Sequence, residues 1–345
     1  MREFGYDRAH DVPGALALLG ADPGARYLGG GTHLIDLMKS GVERPTRLVD
    51  VSGLSLDRVE RSADGSLRIG ATVTNSDLAA HPDVRRDHPA LAQAVLAGAS
   101  GQLRNMATVG GNLLQRTRCP YFTDPTGPCN KRAPGSGCPA VRGEHRNHAV
   151  LGASAHCVAV HPSDMAVALI AFDALISYET ADGTGELPLA GLYLPVADTP
   201  HRETALPPGA LITGVTLPPA PIAAHARYRK VRERASYAFA IGSVAAALDV
   251  TDGVVRDVRL AFGAVASRPW RARTAERMLT GGPATPTAFA RAAEAELAAA
   301  TPLPGNAYKV PLLRNLTTAM LTDLAEQHSD PHTGPPTDRA EGAAR

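Results

Sequence analysis

The chain has 345 residues, of which 44% are apolar and 20% are charged, so its composition is that of a globular protein and excludes wholesale disorder. Its formal net charge is +1, which lacks the basic excess that binding to a phosphate backbone needs and disfavours a nucleic-acid partner. A single core rarely extends over a chain of this length, so we expect more than one domain. Only 4% of the residues are aromatic, so the cores must be aliphatic.

The sequence carries no feature that predicts a membrane protein. Its longest apolar stretches are well short of the roughly 18 to 20 residues that span a bilayer, and the N-terminus lacks the apolar region of a secretion signal. The chain by itself is therefore expected in the cytoplasm, or in the periplasm if a partner subunit carries an export signal. The polar, Pro- and Ala-rich stretch 329–345 is predicted to be a disordered tail.

The first two thirds of the chain mix short helices and strands. Asp11 is typical of a helix N-cap and Pro13 of a first helical turn, so a helix is predicted over 12–19. By apolar spacing, strands are predicted over 26–28, 48–51, 67–71 and 174–178, and helices over 34–38, 75–80, 90–97 and 163–172. Between Thr117 and His148 the apolar periodicity disappears, which predicts an irregular inserted loop.

A second composition begins after the Pro-rich stretch 207–221. This stretch predicts a domain boundary near residue 220. Beyond it, strands are predicted over 240–250 and 254–262, and Ala-rich helices over 288–300 and 311–326.

Two glycine-rich loops have the composition of an anion cradle. The first, Leu28-Gly29-Gly30-Gly31-Thr32-His33, follows a predicted strand, and three glycines permit positive φ angles and close backbone approach. It is neither a dinucleotide fingerprint nor a Walker loop. The second, Ala107-Thr108-Val109-Gly110-Gly111-Asn112, has similar chemistry. Each loop alone is equally compatible with a tight structural turn, but two such loops favour one shared phosphate-bearing ligand.

The order of these motifs resembles the FAD-binding subunits of the xanthine dehydrogenase and molybdenum hydroxylase family. The two loops lie about 80 residues apart and are followed by His161-Pro162-Ser163-Asp164-Met165-Ala166. In the C-terminal half, the segments 228–232, 236–240, 263–266 and 269–272 are similar to that family's own C-terminal domain.

The resemblance implies an α+β fold with α/β subdomains. A two-subdomain, PCMH-type FAD-binding domain would cover 1–220, divided into about 1–55 and 56–220 with an insert at about 115–160. A CO dehydrogenase flavoprotein-like α+β domain would cover 221–328.

The resemblance also implies which residues bind an extended FAD. Residues 27–34 would wrap the pyrophosphate, and Thr108, Gly111 and Asn112 would complete the cradle from the other side. Asp164 would accept hydrogen bonds at the adenosine end. Lys230 would lie near the flavin and stabilise its anionic reduced form. Ile212 would pack near the flavin. The full set comprises Tyr27, Leu28, Gly29, Gly30, Gly31, Thr32, His33, Leu34, Thr108, Gly111, Asn112, Asp164, Ile212 and Lys230. Without the motifs, Lys230 would be interpreted as a solvated lysine, Asp164 as an ordinary helix N-terminal carboxylate, and His33 and His161 as packing residues.

All four cysteines of the chain lie in the insert, with the spacing C-x9-C-x8-C-x18-C at Cys119, Cys129, Cys138 and Cys157. Structural zinc normally uses closely paired ligands, which this spacing lacks. Disulfides suit an oxidising compartment, and four unrelated thiols are disfavoured by the clustering. An iron-sulfur cluster held by four thiolates is the fourth possibility, and a further resemblance favours it.

The cysteine segment is similar to that of bacterial aldehyde oxidoreductase FAD subunits, whose insert carries a [4Fe-4S] cluster. The resemblance therefore implies that the four cysteines are cluster ligands. Cations along the segment, namely Arg116, Arg118, Lys131 and Arg132, would offset the negative charge of such a cluster.

Taken together, the resemblances imply an FAD and [4Fe-4S] electron-transfer subunit of a heterotrimeric molybdenum aldehyde oxidoreductase. The partners would be a large subunit with a molybdopterin (molybdenum-cytosine) cofactor and a small [2Fe-2S] subunit, and electrons would leave for an external small-molecule or protein acceptor. No catalytic residue is expected in this chain beyond the flavin. Two alternatives stay open: a xanthine dehydrogenase or hydroxybenzoyl-CoA reductase-type FAD subunit, and a redox-sensing or assembly protein with a regulatory cysteine loop.

Overall fold

The computed structural model describes residues 1–329. The predicted tail lies outside the described residues except for Ser329, which ends the last helix. Within 1–329, no helix is both long and apolar enough to cross a membrane.

The chain begins with a small parallel sheet. The elements are β1 (Gly5–Arg8), α1 (Val12–Gly20), β2 (Ala25–Leu28), α2 (Leu34–Lys39) and β3 (Arg47–Asp50), and the strand order is β1-β3-β2. Helix α1 begins as predicted: the Asp11 carboxylate accepts from the Gly14 amide at 2.7 Å and Pro13 occupies the first turn. The apolar side of α1 packs on β2 and β3 and forms a small core of its own.

An antiparallel sheet of five strands follows, in the order β4-β5-β8-β6-β7. Its strands are β4 (Val59–Arg61), β5 (Leu67–Gly70), β6 (Leu175–Thr180), β7 (Gly183–Pro188) and β8 (Leu211–Leu217). Strand β8 was not predicted, because it is closely flanked by prolines and depends on pairing with β5 and β6, which are distant in the sequence. It is almost wholly buried.

The long crossover from β5 to β6 carries seven helices. They are α3 (Asn75–Ala80), α4 (Pro82–Asp87), α5 (Pro89–Ala97), α6 (Gly101–Arg104), α7 (Val109–Leu113), α8 (Pro120–Thr123) and α9 (Asp164–Ala171), and α10 (Leu189–Leu192) follows β7. Every residue of α9 is buried, because this helix, apolar after Asp164, lies in the middle of the molecule. Between α7 and α9 the chain is irregular apart from α8 and a 3-10 turn at Pro139–Val141, as predicted.

The C-terminal part forms a third sheet covered by three helices. The four strands are antiparallel in the order β12-β11-β10-β9, comprising β9 (Ala226–Val231), β10 (Gly242–Thr251), β11 (Val254–Gly263) and β12 (Trp270–Arg271). A 3-10 turn, Pro221–His225, precedes β9, and α11 (Arg273–Leu279), α12 (Pro286–Leu297) and α13 (Lys309–Ser329) follow the sheet.

Residues on the two faces of the C-terminal sheet differ in size. Ala245, Ala247 and Ala261 belong to the core that contains α5 and α9, whereas Val244 and Phe262 belong to the core that contains α11 to α13. The alternation follows from the period of two along a strand. Small side chains on the first face let the sheet approach the buried helix α9 closely, so the two parts of the chain share one continuous core.

Candidate functional site

The triglycine loop, Gly29–Gly31, joins β2 to α2 and presents free amide donors. The amide N–H groups of residues 29–33 donate to no other group within residues 1–329. Gly31 has a φ of +70°, which glycine adopts without strain. Successive unpaired N–H groups on a partly exposed loop form a concave binding site for an anion. This loop therefore fits the pyrophosphate role that the resemblance assigns to residues 27–34.

The second glycine loop packs directly against the first. A Cβ atom on Gly30 would lie 1.6 Å from the Met106 carbonyl oxygen, and one on Gly29 would lie 2.8 Å from Thr108 Oγ1. Only glycine permits this approach. The structure thus brings together two segments that are about 80 residues apart in the sequence.

The amides of the second loop are already used within the protein, contrary to the similar chemistry expected from its sequence. The Gly110 amide donates to the Ala71 carbonyl at 2.9 Å, the Gly111 amide to Thr108 Oγ1 at 3.3 Å and the Asn112 amide to the Thr108 carbonyl at 2.8 Å. The cause is that Thr108 caps the short helix α7. The Asn112 Oδ1 atom also accepts from Ser163 and Gln115, so the side-chain donors left in this loop are the Thr108 hydroxyl and the Asn112 Nδ2 group.

A cavity of about 310 Å³ opens between the N-terminus of α9, the cysteine segment and the C-terminal sheet. Its wall includes residues 160–164, residues 117–120 and residues 238–241. The Ser163 hydroxyl, which caps α9, donates to Asn112 Oδ1 at 2.6 Å and so ties the second glycine loop to this wall. The cavity therefore lies beside the second glycine loop, and its wall is formed by residues outside both loops.

Asp164 and Lys230 form a buried ion pair beside the cavity. Lys230 Nζ lies 2.8 Å from Asp164 Oδ2, and the other carboxylate oxygen accepts from the Tyr228 hydroxyl at 2.5 Å. The Lys230 ammonium also donates to the Ala97 carbonyl at 3.1 Å. The two residues were expected at opposite ends of an extended FAD. The structure places the two side chains in direct contact, and their separate roles toward FAD stay a prediction.

The side chains of Lys230 and Tyr228 are both buried. The Lys230 side chain is 3% exposed, so it is not the solvated lysine that an isolated strand residue suggests. Burial and the Asp164 carboxylate raise the pKa of the Tyr228 hydroxyl well above its ordinary value. Asp164 lines the cavity, and Lys230 contacts Asp164 from the side away from the cavity. Lys230 therefore acts on the cavity only by pairing with the Asp164 carboxylate.

Tyr27, expected at the pyrophosphate, and Ile212, expected near the flavin, both contact other parts of the protein. The Tyr27 hydroxyl donates to the Gly209 carbonyl at 3.0 Å, and burial raises its pKa to about 12. Ile212, on β8, is 3% exposed and packs in the core of the five-stranded sheet. Ile212 is thus a core residue, and the wall of the cavity is formed by other side chains. Leu28 ends β2, Thr32 follows the glycines and Leu34 begins α2.

His33 connects the triglycine loop to the cysteine segment. Its Nε2 accepts from the Arg116 amide at 2.9 Å. Burial and the two neighbouring arginines lower the pKa of His33 to about 3, so the ring is neutral at physiological pH. His33 therefore packs against the cysteine segment, and its role toward FAD stays a prediction. His161 is likewise buried, with its pKa lowered to about 3, and its ring packs 4.3 Å from that of Tyr193.

The four cysteines converge on one small cavity, although they come from four separate turns of an irregular segment. They are free thiols in the structure, which does not support the disulfide alternative. Cys129 and Cys157 are buried, and burial raises the pKa of Cys119 and of Cys157 to about 11. The cavity is also lined by Phe122 and Lys131.

The four cysteine side chains share one cavity. Among residues 1–329, no three His, Cys, Asp or Glu side chains are placed to hold one metal ion. In a Cys₄ cluster the thiolates bind different irons and so surround a larger volume. Cys119, Cys129, Cys138 and Cys157 line this cavity together with Asn130, Lys131 and His156, and they stay a predicted ligand set for a cluster.

Of the four cations expected to offset a cluster's charge, only Lys131 lines the cysteine cavity. Its ammonium donates to the Pro200 carbonyl at 3.0 Å and lies 3.4 Å from Glu203. The other three are used differently. Arg116 pairs with Glu43 and Glu203, Arg132 donates to carbonyls of its own loop, and Arg118 lies over the Phe239 ring in the wall of the larger cavity.

Two family descriptions together match nearly the whole chain. Residues 2–220 match the FAD binding domain in molybdopterin dehydrogenase, and residues 222–324 match the CO dehydrogenase flavoprotein C-terminal domain. The chain therefore belongs to the FAD-binding subunits of the molybdenum hydroxylase and xanthine dehydrogenase family, and FAD is the cofactor that its first domain is built to bind.

Two individual FAD-binding subunits from Escherichia coli differ in their similarity to this chain. The chain is 50% identical, over 95% of its own length and 100% of the relative's, to the aldehyde oxidoreductase FAD-binding subunit PaoB of Escherichia coli (strain K12). It is 27% identical to a putative xanthine dehydrogenase FAD-binding subunit of the same organism, over 81% of this chain and 80% of that one.

Solved structures share the fold. Quinoline 2-oxidoreductase from Pseudomonas putida 86 aligns with a TM-score of 0.73 at 22% identity, covering 94% of this chain and 98% of that chain. Carbon monoxide dehydrogenase from Hydrogenophaga pseudoflava aligns with a TM-score of 0.73 at 24% identity and covers the same shares. The predicted α+β architecture is confirmed.

Proposed function

We propose that this chain is the FAD and [4Fe-4S] electron-transfer subunit of a heterotrimeric, molybdenum-dependent aldehyde oxidoreductase. A large molybdenum-cofactor subunit would oxidise the substrate, a small [2Fe-2S] subunit would relay the electrons, and this chain would deliver them to an external acceptor. When bound, FAD exchanges electrons singly or in pairs and an iron-sulfur cluster exchanges them singly.

The observation that carries this proposal is the adjacency of two cavities of different chemistry. One is walled by the α9 N-terminus and tied to the glycine loops, and the other is lined by four thiols. Cys119 belongs to the walls of both. Two redox groups placed on either side of one residue are suited to electron transfer within a single subunit.

The residues of this chain bind and orient the cofactors. The free amides of residues 29–33 would hold the pyrophosphate, with the Thr108 hydroxyl and the Asn112 side chain at its edge. The buried pair of Asp164 and Lys230 would set the charge next to the larger cavity. The four cysteines would hold the cluster, and their apolar surroundings would exclude water from it.

The identity to the aldehyde oxidoreductase subunit, 50% against 27% for the xanthine dehydrogenase subunit, favours an aldehyde as the substrate of the assembled enzyme. The assembled complex should therefore oxidise aldehydes in preference to xanthine with an artificial electron acceptor. The chain purified without its partners should oxidise neither, since the proposal places that reaction in the large subunit. Aldehyde oxidation by the chain alone would contradict the assignment.

Metal and flavin analysis of the purified chain tests the cofactors directly. We expect one FAD and about four irons with about four sulfides per chain, as for a Cys₄ cluster. Cys119→Ser should lower the iron content and leave most of the FAD, whereas Thr126→Ala, at an exposed position of the same segment, should lower neither. Zinc in place of iron would contradict the cluster, and a colourless protein would favour a scaffold or redox-sensing role instead.

A further inference from the structure

His148 lies at the partition between the two cavities. Its Nε2 is 3.1 Å from the Sγ atom of Cys119, and the residue is only 5% exposed. His148 lines the larger cavity, while Cys119 lines both. A histidine ring therefore contacts the one cysteine that separates the flavin side from the cysteine side.

The surroundings of His148 determine which way a hydrogen bond to the sulfur runs. The other ring nitrogen, Nδ1, is buried and has no partner within the described residues. A neutral imidazole carries one donor and one acceptor, and a thiolate sulfur only accepts. When Cys119 is deprotonated to act as a ligand, the proton of His148 must therefore be on Nε2 and point at Sγ.

The C-terminal part of the chain holds His148 in this position. The His148 carbonyl accepts from Lys309 Nζ at 3.0 Å and from Asn306 Nδ2 at 3.3 Å. The His148 amide donates to the His145 carbonyl at 3.0 Å. Both Lys309 and Asn306 are fully buried. The backbone of His148 is thus anchored on both sides, and its ring contacts Cys119 Sγ from this fixed position.

We infer that His148 is a positioning residue for the cysteine-bound cluster, donating its Nε2–H to the Cys119 thiolate. This inference rests on the proposed function, because it requires a cluster on the four cysteines. Reduction adds negative charge to a cluster, and a hydrogen bond to a ligand sulfur stabilises the more negative state. The bond therefore raises the reduction potential of the cluster next to the flavin cavity.

Two substitutions at His148 separate the hydrogen bond from the bulk of the ring. His148→Phe keeps a ring and removes the donor, while His148→Gln keeps an N–H donor. His156→Ala is the matched control, since His156 also lines the cysteine cavity but has no hydrogen bond to a sulfur within residues 1–329. The full chain is purified anaerobically with any subunits that accompany it, and the cluster potential is measured by a redox titration followed by electron paramagnetic resonance.

The inference predicts a more negative cluster potential in His148→Phe than in the wild type, with His148→Gln and His156→Ala close to the wild type. Loss of iron from His148→Phe, with iron retained in His148→Gln, also supports the inference, because the hydrogen bond would then be needed to keep Cys119 bound to the cluster. Equal potentials in all four proteins overturn the inference, as does an equal change or equal iron loss in both His148 variants. A wild-type chain without iron overturns the proposed cluster instead, which iron analysis shows before any titration.

Discussion

The ammonium group of Lys230 and the carboxylate of Asp164 form an ion pair at 2.8 Å that joins the C-terminal sheet to the buried helix α9. Both side chains are less than one tenth exposed. Their attraction is therefore poorly screened, and neither charge has water to replace its partner.

Removing one partner of this pair should destabilise the chain strongly. Asp164→Ala leaves the Lys230 ammonium buried with only the Ala97 carbonyl, and breaking such a pair costs about 3–5 kcal/mol. Adding Lys230→Met should recover much of that loss. Urea denaturation of the flavin-free chain measures both effects.

An exposed pair on the same strand serves as the control for this experiment. Arg229 and Asp323 are also 2.8 Å apart but are 46% and 45% exposed. Asp323→Ala should cost less than about 1 kcal/mol. If Asp164→Ala lowered the free energy of unfolding no more than Asp323→Ala does, the buried pair would not be important for stability.

Gly30→Ala should weaken FAD binding. The new methyl group would overlap the Met106 carbonyl oxygen, so the two glycine loops would have to separate. We expect FAD affinity to fall at least about tenfold, equivalent to about 1.4 kcal/mol, as measured by fluorescence titration of the flavin-free chain. Gly20→Ala is the control, because a Cβ at Gly20 meets no atom within 4 Å. Equal affinities in the two variants would show that the loop contact does not matter for binding.

The buried ammonium of Lys309 should make stability depend on pH. Burial lowers the pKa of Lys309 to about 7, whereas an unfolded lysine keeps its proton up to about pH 10.4. Between these values the unfolded state binds more protons, so the free energy of unfolding rises with pH, by at most about 1.4 kcal/mol per pH unit.

Lys309→Met removes this titration, although it also leaves three carbonyl oxygens without their donor at every pH. The stability advantage of the wild type over the variant should therefore grow as the pH rises from about 7 to about 9. Urea denaturation of both proteins at each pH measures the difference between their free energies of unfolding. The other titrating groups are common to both proteins, so their contributions cancel in this difference. A difference that stays constant would contradict the prediction.

The small side chains of β10 should be required for the contact between the sheet and α9. Ala245 is fully buried in the shared core, so Ala245→Leu would overfill it at a cost of about 1–3 kcal/mol. Ala299→Leu, at an exposed position after α12, should change the stability little. Thermal denaturation compares the two, and equal melting temperatures would mean that the core has room at Ala245.

Local patterns in the sequence predicted much of the fold. Asp11 and Pro13 predicted the start of α1 because capping depends on neighbouring residues alone. The loss of periodicity predicted the irregular segment around the cysteines. Strand β8 was missed because its identity depends on pairing with β5 and β6, which are distant in the sequence.

The candidate site shows the same division. The glycines at 29–31 and the four cysteines were visible as composition, and the structure brings each group to a site. The use of the second loop's amides by Ala71 and Thr108 was not visible, since it depends on a strand and a helix cap meeting in space. The contact of His148 with Cys119 likewise has no signal in the sequence, because both residues lie in a segment without periodicity.

The sequence by itself therefore determined the family, the mixed architecture and the residue types that suit FAD and a thiolate-bound cluster, because these depend on motifs and composition. Tertiary structure decided which groups are free to act. Among residues 1–329, it left the amides of residues 29–33 unpaired, paired Asp164 with Lys230 and placed Cys119 between two cavities. The physical reason is that hydrogen-bond partners and burial are properties of the folded chain, set by contacts between residues far apart in sequence.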